Sequence, residues 1–293
     1  MDIAAYLRER KALIDSAMDR LLPSVTDEPH IIHEAMRYSA LDSGKRLRPI
    51  LTLSACEAVG GAVEAAVPSA CAIECIHTFS LIHDDLPCMD DDDYRRGRPS
   101  LHRAYDEAIA LLAGDALFAL AFQLICETKG VGEDVLLQVC RVISEATGTG
   151  GMVGGQVLDM LLEGEEVTLE QVQEIHRLKT GALIKASVVV GGLIGGASDS
   201  QMRALNGYGS NIGLAFQIAD DILDLIGDQE KLGKPVGSDI KHKKATYPSV
   251  IGIDESARIA SEAVAAAISA IENFDERADP LRHIARFVVE RES

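Results

Sequence analysis

The sequence predicts an all-α fold in one domain, and three observations predict it. Apolar residues recur at i, i+3, i+4 and i+7, as in Leu136, Val139, Cys140 and Ile143, which sets them on one face of a helix. Alternation of the strand kind is scarce and Trp is absent. No Pro/Ser-rich linker and no repeat of solenoid period divides the chain, so residues 1–293 read as a single unit. The expectation is a bundle of about ten or more long helices, with any site built in its core from facing helices.

Local signals agree. Thr168-x-x-Gln171 and Ser198-x-x-Gln201 read as capping boxes at helix starts. Gly60-Gly61, Gly130-Val131-Gly132 and Gly233-Lys234-Pro235 read as breaks. The run Gly150-Gly151-Met152-Val153-Gly154-Gly155-Gln156 lacks the Gly-Lys-Ser/Thr ending and the preceding strand of a phosphate loop. Gly191-Gly192-Leu193-Ile194-Gly195-Gly196 is no dinucleotide fingerprint; small residues so spaced let two helices approach closely.

Composition bounds the function. A chain that is 47% hydrophobic and 25% charged folds rather than staying disordered. A net charge of −18 repels nucleic acid and anionic membranes, so neither is an expected partner. The start, Met1-Asp2-Ile3-Ala4-Ala5-Tyr6, has no apolar segment of the signal-peptide kind. The greasiest stretch, Ala186 to Ala197, is too short to span a bilayer, and stable membrane insertion is not expected. The six cysteines form no CxxC pair and read as buried free thiols of a soluble cytoplasmic protein.

Two acidic clusters carry the chemistry. In Asp220-Asp221-Ile222-Leu223-Asp224 the first and last carboxylates are i,i+4 and share a helix face, where they repel unless a cation intervenes. In Asp84-Asp85-Leu86-Pro87-Cys88-Met89-Asp90-Asp91-Asp92-Asp93 six of ten residues are acidic, entered from an apolar helix. On a straight helix Asp84 aligns with Asp91 and not Asp90, but Pro87 disturbs the ladder. The central Gly and terminal Glu of an EF-hand are missing. Mg²⁺ suits such sites, since it takes one or two carboxylates per ion and completes its shell with water and phosphate oxygens. An acidic protein that holds phosphorylated substrates needs local positive charge as well. It has basic islands at Gly44-Lys45-Arg46-Leu47-Arg48-Pro49, Arg95-Arg96-Gly97-Arg98-Pro99, Lys179-Thr180-Gly181, Lys234, and Lys241, Lys243 and Lys244.

The ordered set resembles the trans-prenyl diphosphate synthases, most closely the bacterial-type farnesyl diphosphate synthases, over about residues 30 to 250. Carrying it are Gly44-Lys45-Arg46-Leu47-Arg48-Pro49, His77, Asp84-Asp85-Leu86-Pro87-Cys88-Met89-Asp90 with Arg95-Arg96-Gly97, Gly114-Asp115-Ala116-Leu117 and Gly155-Gln156. Lys179-Thr180, Gln217-x-x-Asp220-Asp221-x-x-Asp224, Gly233-Lys234 and Lys244-x-Thr246-Tyr247-Pro248 continue it. The resemblance implies one all-α domain around a central cavity, a homodimer, and head-to-tail joining of an allylic diphosphate to isopentenyl diphosphate. It implies that Asp84, Asp90 and Asp220 ligate several Mg²⁺ ions, Mn²⁺ being the other candidate, with Asp85, Asp221 and Asp224 in support. Arg95, Lys179 and Lys234 would hold the allylic diphosphate. Gly44, Lys45, Arg48, His77, Arg96 and Lys244 would hold isopentenyl diphosphate, and Thr180 and Gln217 would lie near the developing cation. His83 has no such role and is expected to be structural.

The resemblance also implies a chain-length stop at Phe79 and Ser80, five and four positions before Asp84, of the kind that ends at a C15 product. A geranylgeranyl diphosphate synthase is the alternative, and a non-catalytic regulatory subunit a further one, though such subunits commonly lose an Asp cluster and this chain keeps both. A terpene cyclase or squalene-type synthase would not be expected to carry Lys45, Arg48 and Arg96. The ending Glu290-Arg291-Glu292-Ser293 departs from the basic tail common in the family.

Overall fold

The computed structural model describes residues 1–42, 44–226, 244 and 246–290. Lys234, Lys241, Lys243 and Arg291, and with them the Gly233-Lys234-Pro235 break and the tail, lie outside the described residues. The all-α expectation is met. From the N-terminus run α1 (Ile3–Leu21), α2 (His30–Ala40), α3 (Leu47–Ala58), α4 (Val63–Asp84), α5 (Leu101–Ala104), α6 (Glu107–Cys126) and α7 (Glu133–Thr147). There follow α8 (Met152–Leu162), α9 (Leu169–His176), α10 (Ala182–Ile194), α11 (Asp199–Ile226), α12 (Tyr247–Ile251), α13 (Ile253–Ala270) and α14 (Asp279–Glu290). One small departure from the sequence reading is an antiparallel pair of two-residue strands, β1 (Tyr94–Arg95) and β2 (Arg98–Pro99), closed by Gly97 at φ +78°.

Both capping boxes form. Thr168 Oγ1 accepts from Gln171 N while Thr168 N donates to Gln171 Oε1, and Ser198 pairs with Gln201 the same way. Asp2 and Asp106 cap α1 and α6 through Ala5 N and Ile109 N.

The core forms two large clusters, beside a smaller one that joins α9, α11, α12 and α13. Of the large ones, one joins α1, α2, α4, α6 and α7; the other joins α3, α10, α11, α13 and α14. Between them α10 is buried along most of its length and touches α3, α4, α7 and α11. Its paired glycines explain how. A Cβ on Gly191 would lie 2.1 Å from Thr52 O, and one on Gly195 would lie 2.4 Å from Val59 Cγ2, so α10 and α3 meet backbone to backbone.

Among the described residues, the helices long and apolar enough to cross a membrane are α4 and α6, not the 186–197 stretch. α4 is a core helix, with eleven of its residues buried. α6 instead leaves Leu111, Leu112 and Phe118 exposed. The thiols divide in a way the sequence did not foretell: Cys56, Cys71 and Cys75 are buried, but Cys88 and Cys126 are exposed.

Candidate active site

The first acidic cluster is a helix end, not a helix. α4 stops at Asp84, and the chain turns so that Asp90 N donates to Asp84 O at 2.8 Å and Asp91 N to Leu86 O at 3.2 Å. Pro87 cannot continue the ladder, and the turn carries Asp91 at φ +50°. Asp90 is thereby folded back onto Asp84, the pairing that helical spacing alone did not give. Burial pushes the Asp84 acid up to about 6, against the attraction of Lys179; Asp90 adds repulsion, while Arg95 and Lys244 add attraction. Lys244 Nζ lies 3.1 Å from Asp90 Oδ2, which joins the segment before α12 to this turn.

Asp85 faces the other way. It is buried, and Arg95 Nε donates to its Oδ1 at 2.9 Å while Arg95 also pairs with Asp92. Arg95 is therefore anchored on carboxylates of its own loop, and its charge acts on both Asp84 and His77.

The second cluster sits on α11. Asp221 is the braced member: its Oδ1 accepts from Gln217 Nε2 at 2.8 Å, its Oδ2 accepts from Tyr247 N at 2.9 Å, and His176 Nε2 lies 3.7 Å away. Tyr247 stacks on the His176 ring with centroids 5.4 Å apart. The sequence reading placed Gln217 near reacting atoms; here its amide is engaged by Asp221 one helical turn on. Asp224 is buried, and Asp220 lies within electrostatic reach of Arg48.

Positive charge gathers where α3, α4 and the β-hairpin meet. Arg48 Nη1 lies 3.2 Å from His77 Nε2. A guanidinium only donates, so Nε2 accepts and the imidazole proton sits on Nδ1. Burial, then Arg48 and Arg96, hold the His77 imidazole well below its usual range, so this ring stays neutral. Burial lowers Arg48 itself to about 10, although Glu74 and Asp220 oppose this. Its Nε is buried with no hydrogen-bond partner among the described residues, a donor without an acceptor. Arg96, at φ +51°, lays its guanidinium over Gly44, where a Cβ would come within 2.7 Å of Nη1. Lys45 is exposed beside it. The island also contains Arg46, which the sequence does not distinguish from its neighbours. Arg46 is buried and committed to Asp15, Glu74 and the carbonyls of Ala40 and Asp42, so it shapes the loop.

Lys179 and Thr180 lie on a five-residue π-turn, Arg177–Gly181, between α9 and α10. Such turns bulge a helix and often carry functional side chains. Lys179 Nζ is 2.6 Å from Asp159 Oδ2 on α8, a partner that the sequence reading missed. The available signal was that Asp159 is i+4 from Gly155 and shares its helix face. A Cβ on Gly155 would lie 2.3 Å from Lys179 N, so only glycine lets α8 support the turn. Gly155→Ala is expected to displace Lys179, to cost about 1–3 kcal/mol of stability, and to cut turnover at least tenfold; denaturant titration and steady-state kinetics measure both.

His83 is structural, as expected: its Nε2 bonds to Leu111 O at 3.1 Å and its ring fills the space over Gly114. Phe79 packs edge-on against His83 at 4.9 Å and against Phe118 at 5.2 Å, and Phe118 against Phe122 at 5.3 Å, a ring ladder from α4 to α6. Ser80 turns its hydroxyl onto His77 O, 2.8 Å away.

Among the described residues no three His, Cys, Asp or Glu side chains converge on one point. The donor set, hard carboxylate oxygens at Asp84, Asp90 and Asp220, fits Mg²⁺, which needs few protein ligands, better than Zn²⁺.

Known proteins carry the same pattern. The chain matches the family described as Polyprenyl synthetase over residues 29–281. It is 48% identical to a geranylgeranyl diphosphate synthase of Cyanophora paradoxa, over 99% of this chain and 97% of that protein. It is 43% identical to a farnesyl diphosphate synthase of Geobacillus stearothermophilus, over 100% and 99%. The crystal structure of geranylgeranyl pyrophosphate synthetase from Pyrococcus horikoshii superposes with TM-score 0.90 at 36% identity, covering 99% of both chains. The chain belongs to the polyprenyl synthetase family and is a prenyl chain-elongation synthase.

Proposed function

We propose that the protein joins isopentenyl diphosphate to dimethylallyl or geranyl diphosphate, with Mg²⁺, to give mainly farnesyl diphosphate and pyrophosphate. The observation that carries this reading is the pairing of a carboxylate turn at Asp84 and Asp90 with a separate guanidinium pocket at Arg48, Arg96 and neutral His77. Two diphosphates need two holders, one rich in metal ligands and one rich in fixed cations.

Asp84, Asp90 and Asp220 would hold Mg²⁺, which supplies Lewis-acid charge to the leaving diphosphate. By resemblance Lys179, Arg95 and Lys234 would hold that diphosphate and stabilise charge gathering on it as the allylic C–O bond breaks. Arg48 offers its spare Nε–H, with Arg96 and Lys45, to isopentenyl diphosphate. The alkene is the nucleophile, so no activated Ser or Cys is required. By resemblance Thr180 would lie near the developing cation and offer it a hydroxyl dipole, and the helical walls would keep water from it.

Phe79 supports the C15 length: its ring is propped by Phe118 and cannot swing away freely. Ser80→Phe is expected to shift product from C15 to C10, and Phe79→Ala to lengthen it, both read by chromatography of the dephosphorylated prenols. Unchanged C15 from Ser80→Phe would remove these residues from length control. A C20 product is the second reading, favoured by the names of relatives such as the Cyanophora paradoxa enzyme.

A cytoplasmic homodimer completes the proposal. Its support is α6, a mostly apolar helix that exposes Leu111, Leu112 and Phe118, a face that a second copy would cover. Sedimentation velocity distinguishes monomer from dimer. The decisive assay incubates purified protein with Mg²⁺, labelled isopentenyl diphosphate and either allylic starter. Farnesyl product is expected, and no condensation with either starter would refute the catalytic reading.

A further inference from the structure

A cavity of about 680 Å³ lies between α7, α10 and α11. It contains none of the aspartates described above, and neither Arg48 nor Arg96. Its size is that of a site for a small organic molecule. Val142 of α7, Ala186 and Val189 of α10 and Leu214 of α11 give it an apolar lining.

Lys185 of α10 stands in the same wall. It is partly buried and makes no ion pair or hydrogen bond among the described residues. The other charges of the lining are engaged, Arg177 with Glu174 at 2.6 Å and Glu145 with Arg141 at 2.8 Å. The chain has 46 Asp and Glu against 28 Lys and Arg. In so acidic a protein, a partly desolvated ammonium without a carboxylate is unusual, and an anion would offset its desolvation. Asn206 and Asn211 add polarity of a defined sign. Each donates its amide to its own helix, to Met202 O and Gly207 O at 2.9 Å, which leaves each a carbonyl oxygen to accept from a hydroxyl or a bound water.

We propose that this cavity is a second ligand site that takes an amphipathic organic anion, its phosphate or carboxylate head on Lys185 and its aliphatic part against Val142, Val189 and Leu214. An occupant also touches Gly181 and Tyr247. Gly181 ends the π-turn that carries Lys179 and Thr180, and Tyr247 gives its backbone N–H to Asp221. The site thus shares a wall with the catalytic residues but does not depend on which product length they set.

The test is calorimetry on the full chain in EDTA, with octyl phosphate, octanoate and octanol as probes. Octyl phosphate is expected to bind one per chain, and octanol at least tenfold more weakly. Binding of octanoate as well assigns any anionic head; binding of octyl phosphate alone assigns a phosphate. Lys185→Gln and Ser210→Trp, the latter placing a ring from an exposed rim position into the mouth, should each weaken binding at least tenfold with circular-dichroism melting unchanged. Failure of both anions to bind, octanol binding as well as either, or affinity untouched by both substitutions would overturn the proposal. So would a loss seen only in Arg48→Ala, which would put the probe in the diphosphate pocket.

Discussion

Asp84→Asn is expected to raise the stability of the metal-free protein while lowering turnover on the order of 10³-fold. The two effects have one cause. Burial holds the Asp84 acid near 6 in place of 3.8, so the folded state binds this proton more tightly than the unfolded one. Stability from this group is greatest below about pH 4 and falls as pH rises through 6. At neutral pH the ionised carboxylate costs the metal-free fold about 3 kcal/mol. The amide does not ionise, so the variant should melt at least about 5 °C higher at pH 7, with the gain fading as pH drops from 6 toward 4. Melting curves at pH 4, 6 and 7.5 in EDTA measure it. Equal melting of variant and parent at pH 7.5 would mean that Asp84 is better solvated than its surroundings imply. Mg²⁺ with pyrophosphate should raise the midpoint of the parent more than that of the variant, because the carboxylate that the cation relieves is gone.

What was legible in the sequence follows from how far each feature depends on distant chain. Asp220 and Asp224 were readable because α11 is one uninterrupted helix, and i,i+4 spacing decides which side chains share a face. Asp84 and Asp90 were readable as residues but not as geometry. Pro87 and the αL turn at Asp91 bring them together, and no helical period contains that. The glycines of α10 were read correctly as a close helix contact, because small residues have few other uses inside an apolar helix. Asp159 was not found, since its tie to Lys179 depends on the register of a π-turn on another element. Arg46 was invisible among Lys45 and Arg48, because nothing local separates an arginine that folds inward from one that faces a ligand. The clue lay elsewhere: Glu74 is a lone charge in Ala70-Cys71-Ala72-Ile73-Glu74-Cys75-Ile76, and a carboxylate in such a run needs a partner.

That partnership gives the second large expected effect. Arg46 and Glu74 side chains are 0% and 3% exposed and lie 2.7 Å apart. Removing Arg46 leaves Glu74 a buried charge uncompensated, so Arg46→Met should cost about 3–5 kcal/mol, while Glu74→Leu leaves Arg46 with only the partly exposed Asp15 and should cost less. The double variant should cost far less than their sum, because it buries apolar groups and leaves no orphan charge. Full additivity in urea midpoints would show that water reaches the pair. The functional consequence separates the two residues further. Arg46 holds φ +55° at the start of α3 and bonds to Ala40 O and Asp42 O, so it fixes the loop that sets Gly44 beneath Arg96 and aims Arg48 at His77. The double variant, though stable, loses those carbonyl bonds and frees that loop. Its KM for isopentenyl diphosphate should rise at least tenfold while the KM for the allylic substrate stays near that of the parent. A structural role confined to stability would leave both constants unchanged, so the split in KM ties this buried pair to the guanidinium pocket it supports.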